Sequence, residues 1–340
     1  MPDLETYGWD DAWNATFEPF RGDGLTPGRA AVQHRGAYDV MTADGEVRAS
    51  IAPRLRRASG PADFPVVGDW VGLDGDGVIQ TVLPRRTAFV RRAAADTGTG
   101  TVREQVVAAN VDVVLVTAAL GQAQDPLVLE RYVTLALQSG AQPAIVLTKA
   151  DLEAKPESVA AELEGVGGAI PIHFVSSRTG VGLDRIRSLI GPGVTGALLG
   201  PSGVGKSTLV NRLAGDDALL ETGDVRADGA GRHTTTRRQL VLLPGGGLLI
   251  DNPGMREVHL WLADDGLEAA FEDIAELAAN CRFSDCRHES EPGCAVQAAL
   301  ADGTLARDRW ERFLALEAEL DALAERLAVK EARGRKRREG

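Results

Sequence analysis

Cysteine is scarce in this chain: three in 340 residues, all between positions 281 and 294. That excludes a disulfide-stapled secreted domain, and in an intracellular chain such a cluster favours a metal over a disulfide. Long apolar runs are absent too. No stretch approaches the roughly 20 residues of a membrane span. Met1 to Phe17 is acidic without an apolar centre, so no signal peptide is expected and the chain reads as cytoplasmic, with no membrane partner. Positive charge is in deficit, with 37 Lys and Arg against 49 Asp and Glu, a net charge of −12. This excludes a protein that coats nucleic acid over its whole surface. RNA contacts would fall to two basic patches. One is Arg85, Arg86, Arg91 and Arg92. The other is the tail from Lys330 to Gly340, with six basic side chains against two glutamates.

What is present divides into five parts. Residues 1–28 read as irregular. Residues 29–100 carry short β-rich runs (Arg29–His34, Tyr38–Thr42, Val47–Ile51, Trp70–Leu73, Val78–Leu83) punctuated by Gly, Asp and Pro, with Asp44-Gly45 as a hairpin signal. Five strands in so short a stretch predict a small OB-type barrel, and Ala93–Thr101 reads as a linker. Residues 101–262 alternate apolar strands with helices, which predicts a parallel sheet covered on both faces. Residues 263–329 read as helical around a Cys-rich loop. There Leu305, Trp310, Phe313, Leu314, Leu320, Leu323 and Leu327 recur at helical spacing. Residues 330–340 form the basic tail.

Three motifs in the α/β region carry chemistry. Gly200-Pro201-Ser202-Gly203-Val204-Gly205-Lys206-Ser207, followed by Thr208, is a complete phosphate-binding loop between a strand-like and a helix-like run. Its glycines let backbone N–H groups close on phosphates, Lys206 would reach the β/γ-phosphates and Ser207 would hold Mg²⁺. Thr148-Lys149-Ala150-Asp151 follows a strand and matches the [NT]-K-x-D guanine reader. A carboxylate at Asp151 accepts from N1–H and the 2-amino group, which adenine does not offer in that arrangement, while the Lys149 stem packs over the base with its head in solvent. Ser176 and Ser177 follow the next strand, where a backbone loop would contact guanine O6. Asp251-Asn252-Pro253-Gly254 matches D-x-x-G, with Asp251 toward Mg²⁺ and the Gly254 N–H toward the γ-phosphate. One of Thr234, Thr235 and Thr236, with Thr235 favoured, would complete the Mg²⁺ shell. Met255 stands where many GTPases carry a water-orienting Gln. Methionine cannot orient water, so intrinsic hydrolysis is expected to be slow, with His233 or a partner macromolecule supplying the polar group.

Cys281, Cys286, His288 and Cys294 follow the spacing C-x₄-C-x-H-x₅-C. Four N/S ligands on one short loop suit a closed tetrahedral zinc site.

The guanine motifs at 148 and 176 precede the phosphate loop at 200, the reverse of the usual order. Together with Gly231-Arg232-His233-Thr234-Thr235-Thr236, Asp251-Asn252-Pro253-Gly254-Met255 and Ala109-Asn110-Val111-Asp112, this permuted order resembles the small ribosomal subunit biogenesis GTPases of the RsgA (YjeQ/EngC) family over about residues 29–300. The resemblance implies an OB domain, a circularly permuted GTPase domain and a zinc domain whose ligands match all four positions above. It also implies GTP hydrolysis stimulated by the small ribosomal subunit, contact with its rRNA, and a role late in that subunit's maturation. A monomer is expected. An RNA-binding module with vestigial hydrolysis and a P-loop ATPase are the competing readings, the second disfavoured by Asp151.

Overall fold

The computed structural model describes residues 3–58, 63–92, 104–121, 125–163, 165–166, 170–216, 219, 238–251 and 264–336. Strands β1 (Thr26–Gln33), β2 (Tyr38–Thr42), β3 (Gly45–Ile51), β4 (Trp70–Leu73) and β5 (Val78–Val82) close a five-stranded barrel in the order β1-β2-β3-β5-β4-β1. Alternation along the strands turns Val40, Ala49, Val71 and Ile79 into a dry interior. The β2–β3 hairpin turns on Ala43-Asp44, one residue earlier than the Asp-Gly signal suggests.

The N-terminus departs from the irregular segment expected of it. Residues Leu4–Tyr7 form a 3₁₀ turn and Asp11–Arg21 form helix α1. Asp10 caps α1 by accepting from the Trp13 N–H at 2.8 Å. Trp13 and Phe17, one turn apart, are buried, and Trp13 packs against Trp70 of β4 with ring centroids 6.1 Å apart. The acidic exposed face of α1 hides this apolar stripe from a reading by composition.

The second unit is an α/β sheet. Strands β8 (Val113–Ala119), β9 (Gln142–Thr148), β10 (Ile172–Phe174), β11 (Thr195–Leu199) and β13 (Leu248–Asp251) are parallel, in the order β10-β9-β8-β11-β13. Helices α3 (Pro126–Gln138), α4 (Pro156–Glu162), α5 (Leu183–Leu189) and α6 (Lys206–Ala214) connect them, after α2 (Pro53–Ala58) of the barrel region. Strand β12 (Arg238–Leu242) runs antiparallel to β13 around the Pro-Gly-Gly-Gly turn. A separate ribbon pairs β6 (Ala88–Arg92), in the stretch the sequence reading assigns to the barrel's end, with β7 (Glu104–Ala109), at the start of the expected α/β region. Residues 93–103 lie outside the described residues.

Barrel and α/β sheet are one continuous surface. Strand β1 pairs with β4 over Thr26–Arg29, bulges between Ala30 and Val32, and then pairs with β12 through Val32↔Gln239 and Gln33↔Arg238. A bulge re-aims a strand, and here it moves β1 from the barrel to the edge of the neighbouring sheet.

Two members of the first basic patch, Arg85 and Arg86, are structural. Arg85 grips the buried Asp69 with two 2.8 Å bonds and also donates to the Phe64 carbonyl. Arg86 pairs with Asp10 at 2.6 and 2.7 Å and lies 4.1 Å over the Trp13 ring. Both are committed to joining α1, barrel and ribbon.

Helices α7 (Asp264–Ala270), α8 (Glu272–Ala279), α9 (Ala295–Asp302) and α10 (Arg307–Lys336) form the C-terminal module. Phe271, Val296, Trp310 and Leu316 are its core. Leu314, expected on the apolar face, is 40% exposed, and Leu316 is inside instead. Fully buried Glu130 of α3 binds Arg309 (2.7 Å) and Arg312 (3.0 Å) of α10, and Arg309 also grips Asp273 of α8. Removing one partner of a buried ion pair costs about 3–5 kcal/mol. Asp273 stays with Arg309, so Glu130→Ala is expected to cost about 3 kcal/mol, the lower end. Urea unfolding checks this; a loss under about 1 kcal/mol, the range of exposed pairs, would show that Glu130 does not hold the module.

Candidate nucleotide and metal sites

The loops that follow β9, β10 and β11, together with the last residue of β13, lie along one edge of the sheet, at the strands' C-terminal ends. The chain reverses direction across the sheet between β8 and β11, and such a switch point opens a crevice for ligands. Strands β9 and β11 are two strand spacings apart, about 10 Å, enough for a purine and a phosphate group to fall on different loops.

Strand β11 delivers the phosphate loop. Gly200 has φ +145°, and a Cβ there would lie 2.2 Å from the Thr117 carbonyl oxygen, so only glycine fits. Gly203 and Gly205 also have positive φ, and Gly205 leads into α6. Val204 and Lys206 are buried, Ser207 is half-buried in the first turn of α6, and Pro201, Ser202, Gly203 and Thr208 are exposed. The Lys206 ammonium bends back to donate to the Gly200 (2.7 Å) and Pro201 carbonyls of its own loop. These bonds hold the cation in the concavity, where a phosphate oxygen can replace a carbonyl.

The [NT]-K-x-D segment braces this loop from the side. The Thr148 hydroxyl, buried, donates to the Val204 carbonyl and lies 3.1 Å from the Ala118 carbonyl. Threonine in place of asparagine therefore ties the base-reading segment to the phosphate loop through one hydroxyl. Lys149 adopts φ +58°, and its head, expected in solvent, donates to the Gly203 carbonyl at 3.0 Å. Ala150 opens a short 3₁₀ turn and donates its N–H to the Val175 carbonyl. Buried Ser176 donates to Asp151 Oδ1 at 2.6 Å and accepts from the Thr179 N–H, while Ser177 beside it is half-buried. The Ser176 bond, assisted by Arg178, holds the Asp151 carboxyl below the usual range, so at neutral pH it is an acceptor for two N–H donors.

Asp251 ends β13 beside β11 and is 6% exposed. Its carboxylate and the Ser207 hydroxyl, on adjacent segments of the sheet edge, are hard oxygen donors of the kind Mg²⁺ takes. His233, Thr234, Thr235, Thr236, Gly254 and Met255 lie outside the described residues.

The second cluster sits between α8 and α9. The nearest ligand atoms of Cys281, Cys286, His288 and Cys294 all lie within 4.8 Å of one another. Cys281 Sγ is 3.5 Å from His288 Nδ1 and 3.9 Å from Cys294 Sγ, and His288 Nδ1 is 3.4 Å from Cys294 Sγ. Bonds of about 2.3 Å in a tetrahedron give ligand edges near ~3.8 Å, so the group fits a zinc ion. Cys281 accepts from the Ala295 N–H, and Cys294, capping α9, accepts from the Gln297 N–H. Burial opposes the Cys281 thiolate, but the N–H groups of Ala295 and Val296 outweigh it and pull that thiol's pKa below its usual value. His288 reaches its place with φ +60° and packs edge-on to Trp310. The metal group is thus built into the module's core.

Among the described residues no helix is long and apolar enough to cross a membrane. A family model described as RsgA GTPase matches residues 82–261. A protein of Streptomyces coelicolor named small ribosomal subunit biogenesis GTPase RsgA is 46% identical over 91% of this chain and 84% of its own length. Its namesake in Syntrophotalea carbinolica is 41% identical over 98% and 95%. The crystal structure of YjeQ from Thermotoga maritima superposes with a TM-score of 0.66 at 26% identity, covering 87% of this chain and 98% of the other. YloQ, described as a circularly permuted GTPase, shares the fold at 22% identity and a TM-score of 0.63, over 88% and 96%. The chain belongs to the RsgA GTPase family.

Proposed function

We propose that this protein hydrolyses GTP to GDP and phosphate on the small ribosomal subunit, late in the subunit's maturation, as a cytoplasmic monomer that contacts rRNA. One observation carries the hydrolase reading: a single sheet edge presents an ionised base-reading carboxylate at Asp151, a glycine-built phosphate loop and the buried Asp251 carboxylate. The ribosomal partner follows from the relatives' names.

In this reading Asp151 selects guanine, with Ser176 orienting its carboxylate and the 176–177 backbone meeting the base edge. The residues from Gly200 to Thr208 hold the phosphates through backbone N–H groups and the Lys206 ammonium. Ser207, Asp251 and Thr235 would hold Mg²⁺, which would supply charge neutralisation at the phosphates. The Gly254 N–H meets the γ-phosphate. Met255 stands in the usual glutamine's place and cannot orient water, so the attacking water is oriented by His233 or by the subunit. The Cys281, Cys286, His288 and Cys294 group would hold one zinc ion in a structural role, since its four N/S ligands suit a closed tetrahedral site.

Asp151→Asn should lower GTP affinity about 100-fold, because hydrogen bonds to a charged acceptor contribute about 1.5–3 kcal/mol each. The same variant should gain affinity for xanthosine triphosphate, whose 2-carbonyl wants a donor. Equilibrium titration reads both, and unchanged GTP binding would remove Asp151 from the base site. Elemental analysis should find about one zinc per chain. Cys286→Ser should lose it and open residues 270–300 to protease, because structural zinc binding is largely folding free energy; a variant that keeps its zinc takes Cys286 out of the ligand set. At fixed salt, small subunits should raise GTP turnover. They should also bind more tightly with a non-hydrolysable GTP analogue than with GDP, by a coupling of about 1–3 kcal/mol. Equal turnover with and without subunits contradicts the assignment.

A further inference from the structure

The seam between β1 and β12 lies one strand from the metal-facing carboxylate. Asp251 of β13 is opposite Gln239 of β12, and Gln239 is opposite Val32 of β1. The next rung pairs Gln33 with Arg238, where Gln33 Oε1 accepts from Arg238 Nη1 at 3.0 Å. Gln33 is itself held on the barrel side, donating to the Tyr38 hydroxyl at 3.3 Å, and that hydroxyl donates to the Pro65 carbonyl at 2.9 Å. In mid-strand β1 is bolted by Arg29, whose guanidinium donates to Thr195 at the start of β11. A strand fixed at two points is a rigid reference. β12 has only β13 on its other side, so β1 fixes the lateral position of β12 and, through it, of the strand end that bears Asp251.

We propose that Gln33 of the barrel, through Arg238, is a positioning residue for GTP hydrolysis, and that the barrel reaches the catalytic end of the GTPase sheet through this seam. The inference rests on the reading of Asp251 as a Mg²⁺-facing group. A strand that shifts or frays at Gln239 moves its cross-strand neighbour Asp251, while the phosphate loop on β11 and the base reader on β9 and β10 lie on the far side of β13. The seam therefore bears on the hydrolytic step and not on recognition of the base or of a diphosphate.

The test compares the parent with Gln33→Ala, Arg238→Ala, the double variant and Gln33→Glu in the full chain. GTP turnover with small ribosomal subunits present and Mg²⁺ saturating is measured beside GDP affinity and thermal unfolding. Losing one hydrogen bond to a charged donor at a positioned group should lower kcat roughly tenfold in either single variant. GDP affinity should stay within about twofold. The double variant should be no slower than Arg238→Ala, because that variant has already lost the contact with Gln33. Gln33→Glu, which can still accept from Arg238, should keep parental turnover. The proposal is overturned if Gln33→Ala retains parental kcat, if GDP affinity falls in step with kcat, or if Gln33→Glu is as slow as Gln33→Ala. A parent without GTP turnover would instead refute the GTPase reading, and this inference with it. Binding of a non-hydrolysable GTP analogue tells these apart, since a loss confined to kcat belongs to the seam.

Discussion

A single buried guanidinium holds the parts of this molecule in register. Arg29, 2% exposed, donates to the carbonyls of Tyr7, Gly68 and Asn110 and to the hydroxyl of Thr195. Those four partners belong to the N-terminal turn, the barrel, the approach to β8 and the start of β11. Burial pulls its pKa down to about 10, against the favourable charges of Asp112 and Asp69. It is still a cation at neutral pH, and the buried charge persists because the four acceptors replace its water. The surrounding backbone is shaped for this contact. A Cβ on Gly8 would lie 2.5 Å from the Gly193 oxygen, and one on Gly68 would lie 2.1 Å from the Ala109 oxygen, both at positive φ. Asn110 completes the joint from φ +55°, donating to the Gly68 carbonyl and accepting from the Arg86 N–H.

From that joint the rest follows. β1 is fixed against the start of β11, so its far end meets β12 in a set register. That extends the sheet bearing the nucleotide loops into the barrel wall. On another flank, Glu130 of α3 anchors α10, and α10 carries Trp310, which packs on His288 of the Cys/His group. Two appended modules therefore bear on the GTPase unit through contacts of different kinds. One is a shared strand ladder beside Asp251. The other is a buried ion-pair network on the helix that follows β8.

Local chemistry was legible in the sequence; long-range commitment was not. The phosphate loop, the Asp151 segment and the Cys/His group announce themselves because their function needs adjacent residues at fixed spacing. The five barrel strands were readable as short β-rich runs between turn residues. Helix α1 was missed because its acidic face outweighs an apolar stripe of only two or three aromatics. Arg85 and Arg86 read as a surface patch because nothing local reveals that Asp69 and Asp10 meet them. Thr148 read as a weakened base contact, and only the fold shows its hydroxyl on the Val204 carbonyl. The β1–β12 seam joins residues 205 apart in the chain, a pairing no periodicity encodes.

The central claim is that barrel and nucleotide-bearing sheet open as one unit. Hydrogen–deuterium exchange on residues 26–33 and 238–251, with and without GDP, tests it most directly. GDP at about 100 times its Kd stabilises the folded unit by about 2.7 kcal/mol. Exchange through a shared opening should then slow about 100-fold in both segments alike. Protection that rises in 238–251 while 26–33 exchanges unchanged would contradict the account, because the barrel strand would then be opening on its own.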